Sequence, residues 1–360
     1  MIKIVHAADL HLDSLFRGLP PDLAVEARRE QLALPELLAR TARDRGAQLV
    51  LLSGDLFDRP QATLDSREAL AAALGSLDIP VFIAPGNHDY VTYDSPYFLG
   101  KFPENVHIFT KQALSSLVLP ELDCRVYGAG YQDMDCPDLL TEFRRQGPER
   151  YHIMVLHGEV TGDGGRYCPI SRGEIAASGL DYLALGHTHK AGQILAGSTL
   201  CAWPGCPMGR GFDETGAKGI YLVDLDEEGA KAEFLPLGAR AYYDVSLEAG
   251  EDPATALDTL PGDPGRDIYR VTFTGESQTL DLGALEKELS SRFRALTLRD
   301  ATRPKADLWQ AAGDDSLEGR YFALLRQQAE QAQDETQRRR LILAARLSRR
   351  LLDGGEVELP

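Results

Sequence analysis

Residues 48–58 read QLVLLSGDLFD. The apolar run before Ser53 has the length and flanks of a buried strand, and Gly54 permits the sharp turn that sends Asp55 off the strand's carboxyl end. The pattern recurs four times. An apolar run over 2–7 leads into DLH at 9–11, one over 80–84 into GNHD at 86–89, one near Ile153 into LHGE at 156–159, and one near Leu183 into GHTH at 186–189. Segments over 21–45 and 64–77 read as helices between the first three strands, so the expected class is α/β, a layered sandwich.

At 360 residues and 39.5 kDa the chain exceeds one ordinary domain of roughly 100–200 residues, and two folding units are expected. Hydrophobic residues at 43% and charged residues at 26% describe a packed protein, neither disordered nor fibrous. A strand near Val126 and alternating runs between 192 and 237, read as antiparallel strands, complete a first domain over 1–237. The rhythm changes at 238–243 and breaks again in the Asp-, Gly- and Pro-rich stretch 251–267. Strands over 242–247, 268–274 and 296–299, with helices over 253–260 and 282–293, then predict a small α/β cap at 238–315. Residues 317–352 lack proline and hold only Gly319, which predicts two helices or one long broken one in a C-terminal segment, 316–360.

A formal charge of −17 and a pI near 4.9 repel a polyanion at long range, so nucleic acid is not captured by the overall field and needs local help. The five cysteines, Cys124, Cys136, Cys168, Cys201 and Cys206, are scattered and odd in number, with no CxxC pair. They suit neither a disulfide framework nor a thiolate zinc cluster, and a cytoplasmic location is expected. The opening residues do not read as an export signal and no run of about 18 apolar residues occurs, so no membrane association is expected.

All five motifs fall at predicted strand carboxyl ends, the edge where open α/β sheets gather their ligands. Side chains two apart on a strand share a face, so Asp9 with His11, and His187 with His189, are expected to point into one site. The glycines before Asp55, Asn87 and His187 are expected to allow turns that aim those side chains inward. Imidazole, carboxylate and one amide oxygen, without thiolate, suit manganese first, with iron or zinc also accommodated. Too many donors converge for one tetrahedral ion. Two divalent metal ions roughly 3.5 to 4 Å apart, bridged by Asp55 and a hydroxide, would use them all and match hydrolysis of phosphoesters.

DLH, GDLFD, GNHD, LHGE and GHTH together resemble the signature of the calcineurin-like metallophosphoesterase superfamily over residues 1 to 237. The opening HAADLHLDSLFRGL, the GDLFDRP segment and the cap followed by helices resemble its DNA repair exonuclease branch, the SbcD and YhaO type. The resemblance implies a four-layer α/β/β/α sandwich with a small α/β cap and C-terminal helices. It implies one ion on Asp9, His11, Asp55 and His189, and a second on Asp55, Asn87, His157 and His187. It places His88 as the catalytic histidine that is not a ligand, stabilising the transition state or protonating the leaving oxygen, and Asp89 beside it as the residue orienting His88 or its loop. Asp58, histidine in some relatives, is read as a support for the ligands. The implied activity is hydrolysis of DNA phosphodiester bonds, as the nuclease subunit of a repair complex with an SMC-like ATPase (SbcC/YhaN type) bound through the C-terminal helices; a homodimer is also allowed. The rival is a small-molecule phosphoesterase acting on cyclic nucleotides or phosphomonoesters, which the acidic charge permits. The extra C-terminal architecture weighs against it. A noncatalytic scaffold is opposed by the intact His88.

Other features carry less. His6, His107 and His152 have no partner motif and are read as structural. Arg17, Arg28, Arg29, Arg144, Arg145, Arg166 and Arg172 are read mainly as solvated surface, and Tyr90, Tyr93 and Tyr97 either as a stacking entrance or as loop anchors. Asp13 reads as a ligand support or a turn former. Residues 246–315 hold 14 Asp and Glu against 8 Lys and Arg, so the cap alone should not hold duplex. Leu341, Ala344, Ala345, Ser348, Leu351 and Leu352 form a helical stripe beside Arg338, Arg339, Arg340, Arg346, Arg349 and Arg350, which either docks a partner or packs on the cap.

Overall fold

Alternating side chains on the central strands face two different cores. Ile2 and Ile4, with Leu49 and Leu51 of the next strand, point one way, while Val5, Ala7, Val50 and Leu52 point the other. The computed structural model describes residues 1–161, 164–250, 252–277, 280–304, 308–352 and 354. Glu251 of the acidic stretch, and residues 353 and 355–360 of the expected C-terminal segment, lie outside the described residues.

Two six-stranded sheets form the middle layers. The first runs Gly229–Pro236, Gly219–Asp226, Ile2–Ala7, Leu49–Leu52, Val81–Ile83, Val106–Ile108, and the second Gly192–Ala196, Thr199–Trp203, Tyr182–Gly186, Tyr151–His157, Cys124–Gly128, Ser115–Leu119. Phe82 from the first sheet and Val126, Ile153, Val155, Tyr182 and Ala184 from the second fill the space between them. Outside the first sheet, Leu38, Ala39 and Ala42 of helix Leu34–Asp44 and Leu70, Ala73 and Leu74 of helix Leu64–Gly75 cover Val50, Leu52 and Ile83. Outside the second, Ile175 of helix Arg172–Ser178 covers Met154, Leu156, Leu183 and Leu185. The fold is therefore the four-layer α/β/β/α sandwich. Each aliphatic side chain fully buried in these layers contributes roughly 1.5–3 kcal/mol.

One local expectation needs correction, and two strands come in addition. The single helix over 21–45 is two, Pro21–Leu32 and Leu34–Asp44, because Pro35 has no N–H to continue the ladder past Ala33. The edge strands Val106–Ile108 and Ser115–Leu119 escaped notice because they are short and only partly buried, so their apolar alternation is weak. The strands within 192–237 pair antiparallel as expected, Gly192–Ala196 with Thr199–Trp203 and Gly219–Asp226 with Gly229–Pro236, and Thr199–Trp203 pairs in addition with Tyr182–Gly186, in parallel.

The chain divides into two compact units, one of Met1–Asp244, Pro261–Arg270 and Ser290–Leu296, the other of Val245–Leu260, Val271–Leu289 and Thr297–Pro360 as far as described. In the second, helices Leu317–Glu330 and Glu335–Leu352 pack through Phe322, Leu325, Leu341 and Ala345, with Tyr321 Oη 2.7 Å from Ser348 Oγ and Arg349 bonded to Glu318 at 3.0 Å. Half of the C-terminal stripe is thus spent within its own unit, and Leu343, Leu351 and Leu352 remain exposed. Among the described residues no helix is long and apolar enough to cross a membrane.

His6 shows how the sheets are pinned. Its Nδ1 lies 2.7 Å from Tyr182 Oη and its Nε2 2.9 Å from Ser53 Oγ and 3.1 Å from the Leu185 carbonyl, fully buried between layers. Burial pushes its pKa down to about 3, against which the Leu185 carbonyl acts only weakly. The unfolded chain binds this proton near pH 6.5 and the native chain does not, so His6 withdraws stability as pH falls, by ~2 kcal/mol at pH 5. Between pH 7 and pH 5 the urea midpoint of the wild type should fall further than that of His6→Asn; equal falls would remove His6 as the cause.

Candidate metal centre

Apart from His157, which ends strand Tyr151–His157, the candidate ligands lie on the loops just past the strands. Asp9, His11, Asp55 and His187 all have left-handed backbone, with φ of 54°, 45°, 49° and 88°. Strands Ile2–Ala7 and Tyr182–Gly186 end before them, so alternation along a strand does not bring Asp9 to His11 or His187 to His189; this corrects the expected reason. Left-handed backbone at a residue other than glycine costs of order 1 kcal/mol and persists where surrounding bonds impose it. Here Asp9 N–H donates to the Gly54 carbonyl at 3.0 Å and His11 N–H to the Asp55 carbonyl at 2.9 Å, while the buried Gln31 amide donates to the His11 carbonyl at 2.7 Å. Gly54 makes a true left-handed turn at φ 81°. Gly86 and Gly186 instead allow close approach, since a Cβ would sit 2.3 Å from Asp55 Oδ1 at the first and 1.9 Å from the Ser53 carbonyl oxygen at the second.

Seven residues close a ring. His189 Nε2 lies 4.0 Å from Asp9 Oδ1 and 3.1 Å from His11 Nε2, and His11 Nε2 lies 3.8 Å from Asp55 Oδ2. Asp55 Oδ2 lies 3.3 Å from His157 Nε2, which is 2.9 Å from Asn87 Oδ1; Asn87 Oδ1 lies 3.2 Å from His187 Nδ1. The main-chain N–H of His187 closes the circuit on Asp9 Oδ1 at 3.0 Å. All seven residues singled out as ligands therefore come together. Asp9, His11, Asp55, Asn87 and His157 are buried, His187 and His189 half-buried, and His88 exposed, so the ring opens on one side.

His88 stands at that opening, its ring 4.8 Å from the ring of His11 and its Nδ1 3.2 Å from the Asp58 carbonyl. Asp89 does not touch the His88 ring. It accepts N–H bonds from Gly86, Asp55, Leu56 and Phe57 at 2.7 to 3.2 Å and a hydroxyl from Tyr97 at 2.5 Å, tying the GDLFD and GNHD loops together. Tyr97 is thereby a loop anchor, whereas Tyr93 is 89% exposed. Asp13 accepts from Thr63 and Ser66 at the start of helix Leu64–Gly75 and so fixes a turn. Arg166 is paired with Asp135, and His152 is buried against Tyr127 and the Glu149 carbonyl.

Four contributors were not foreseen. Glu214 Oε1 lies 2.8 Å from His189 Nδ1, and Arg210 joins Glu214 to Asp58. The Tyr167 ring lies 4.5 Å from that of His187, and Gln31 acts as above. None of these stands in a motif; an amide or carboxylate inside a helix or a loop becomes legible only once the fold brings it to the ligands.

Charge is tightly balanced. Burial, reinforced by Asp55, raises Asp9. Burial alone would raise Asp55 as well, but His157 and His11 hold it below the usual carboxylate range. Burial disfavours the charged form of His157, yet Asp55 outweighs this and lifts it to about 9, while burial and the neighbouring His157 lower His187 to about 4.

Residues 2–191 match the sequence model of the calcineurin-like phosphoesterase family. The chain belongs to that family. Over 246 residues, 65% of this chain and 60% of the relative, it is 32% identical to the uncharacterized metallophosphoesterase YhaO of Bacillus subtilis. Over 270 residues, 70% of this chain and 64% of the relative, it is 27% identical to the DNA double-strand break repair protein Mre11 of Aeropyrum pernix. The chain thus spans less than two thirds of the length of either relative. The solved structure of TT1561 of Thermus thermophilus aligns with 65% of this chain and 98% of its own at a TM-score of 0.40 and 14% identity.

The donors suit the two-metal centre of calcineurin-like phosphoesterases. His157 Nδ1 faces the Ser53 carbonyl at 2.8 Å and must donate to it, so the neutral ring presents a lone pair at Nε2 to the oxygens of Asn87 and Asp55. Acceptors facing one another at these distances need a proton or a cation between them. Asp9, His11 and His189 offer donor atoms within 4.8 Å of one another, as do Asp9, Asp55 and His157. The candidate ligand atoms of a calcineurin-like phosphoesterase are thus brought together in this chain.

At neutral pH the metal-free ring keeps the His157 proton, which a cation must displace. Apparent manganese affinity should climb as pH rises towards about 9 and level off above it. Loading at pH 7 should release protons, measured calorimetrically in buffers of different ionisation enthalpy; affinity independent of pH would contradict this.

Proposed function

We propose that the chain is a two-metal phosphodiesterase that hydrolyses DNA as the nuclease subunit of a repair complex. The observation that carries the chemistry is the closed ring of carboxylate, imidazole and amide groups with the exposed His88 on its open side. The choice of DNA is supported by the similarity to a DNA double-strand break repair protein. Asp9, His11, Asp55 and His189 would hold one ion, and Asp55, Asn87, His157 and His187 the other. Bound divalent cations neutralise nonbridging phosphate oxygens and lower the pKa of water for in-line attack.

The rest falls to the chain's own groups. Asp55 Oδ1 accepts the His88 N–H at 2.8 Å, which sets the catalytic loop against the ring. The Asp58 carbonyl accepts from His88 Nδ1, leaving Nε2 to exchange a proton with the leaving oxygen. Asp89 holds both loops and acts through His88 and Asp55 without touching substrate. The exposed Leu343, Leu351 and Leu352, beside the exposed Arg346 and Arg350, supply the face on which an SMC-like ATPase would dock.

Purified protein with manganese should degrade single-stranded DNA or duplex ends, and a chelator should stop it. Cleavage of a chromogenic diester alone would favour a small-molecule phosphoesterase. His88→Ala should keep both ions and lose about 10²- to 10⁴-fold in turnover, whereas Asp55→Asn should lose both ions by metal analysis. Deleting residues 334–360 should abolish association with the ATPase without lowering chromogenic-diester turnover; association that survives the deletion would exclude this docking face.

A further inference from the structure

His189 is held from behind by a segment beyond the matched family region. Glu214, a buried carboxylate, places Oε1 2.8 Å from His189 Nδ1. Arg210 donates to the same carboxylate through Nη2 at 2.6 Å, through Nε at 3.1 Å and through its backbone N–H at 2.8 Å. Its other arm, Nη1, donates to Asp58 Oδ1 at 3.1 Å, and that oxygen lies 3.3 Å from His11 Nδ1 and accepts from Ser14 Oγ at 3.1 Å. Lys218 Nζ donates to the His189 carbonyl at 3.3 Å, so this segment grips the residue by ring and by backbone.

Tautomer follows from the partners. Arg210 Nη2 also lies 3.3 Å from His189 Nδ1. If that nitrogen carried the lone pair, it would face the Glu214 oxygen at 2.8 Å across two acceptors. The stable arrangement puts the proton on Nδ1, donated to Glu214, with the guanidinium bonded to the carboxylate. His189 Nε2 is then left as a lone pair towards Asp9 and His11. One guanidinium also bridges two carboxylates, each behind a different imidazole of the ring.

We infer that Glu214 and Arg210 are a positioning pair that presents His189, and through Asp58 His11, to a single one of the two ions. The inference rests on the metal-centre reading above. Asp9, His11, Asp55 and His189 form the side of the ring the pair reaches, while His157, Asn87 and His187 are oriented by Ser53 and by one another. Loss of such an outer carboxylate typically weakens metal binding about 10- to 100-fold. Removing Glu214 or Arg210 should therefore weaken one ion and spare its neighbour.

The test is manganese titration of the chelator-stripped full chain by calorimetry, with the melting temperature of each stripped variant as the folding control. The wild type should take up two ions. Glu214→Gln, of nearly the same shape, should weaken one about 10-fold or more and leave the other within about 2-fold, and Arg210→Lys should do the same. The double variant should weaken that ion by less than the product of the single effects, since both act on one contact. Two ions bound by Glu214→Gln with wild-type affinity would overturn the inference, as would equal weakening of both. A wild type that binds fewer than two ions would instead sink the metal-centre reading. Should Glu214→Gln not fold, Arg210→Lys carries the same test with the same outcomes.

Discussion

A single buried carboxylate holds the two loops on which the site depends. Asp89 accepts from four main-chain N–H groups and one phenol, and three of those N–H groups belong to Asp55, Leu56 and Phe57. A carboxylate so placed has nowhere else to turn. Without it, four buried donors would be left unsatisfied at roughly 1–3 kcal/mol each, and the left-handed backbone at Asp55 would lose what imposes it. Asp55 and His88 sit on those loops, so a carboxylate buried behind the ring decides the geometry of both the residue proposed as shared ligand and the histidine proposed for catalysis.

The ring has a dry side and a wet side. His157 and Asp55 face each other in the interior, where attraction is strong enough to lift one and depress the other. His187, His189 and His88 carry the rim. The division suits the proposed hydrolysis of a large substrate, because Asp55 is buried while His88, proposed to meet the leaving oxygen, stands in the open. It also explains why His189 needs a support of its own. A half-exposed imidazole has fewer packed neighbours to fix its ring, and the ion pair behind it does what burial does for His157.

Much of this was legible in the sequence because the motifs are local. GDLFD and GNHD each join a buried strand to a turn, and strand-end position alone predicts that Asp55, Asn87, His157 and His187 converge. The layered fold followed from strand–helix alternation, and the period of 2 in Ile2–Ala7 and Leu49–Leu52 sorted their side chains between two cores. What stayed hidden was nonlocal. Glu214 meets His189 across 25 positions, and Arg210 meets Asp58 across 152. No spacing encodes such pairs. The reason given for Asp9 and His11 also failed, since the strand ends at Ala7 and backbone bonds to Gly54 and Asp55, not alternation, set their direction. Pro35, by contrast, stood in plain view, and its missing N–H should have split the first helix at once.

Acidic composition and the proposed polyanionic substrate are reconciled by range. At 0.15 M salt the screening length is about 8 Å, so the charge of −17 acts on a phosphate mainly through the groups nearest to it. Around the ring those groups are five imidazoles, Arg210 and the cations the site is built to hold, set against Asp9, Asp55, Asp58 and Glu214. Arg210 offsets one of the two charges of Glu214 and Asp58. Two divalent cations would leave the ring itself net positive against its two remaining carboxylates, which favours a bound diester at contact distance while the rest of the surface repels the chain it belongs to. Affinity for a long nucleic acid would then have to come from elsewhere, and the arginines of helix Glu335–Leu352 are where the positive charge is concentrated.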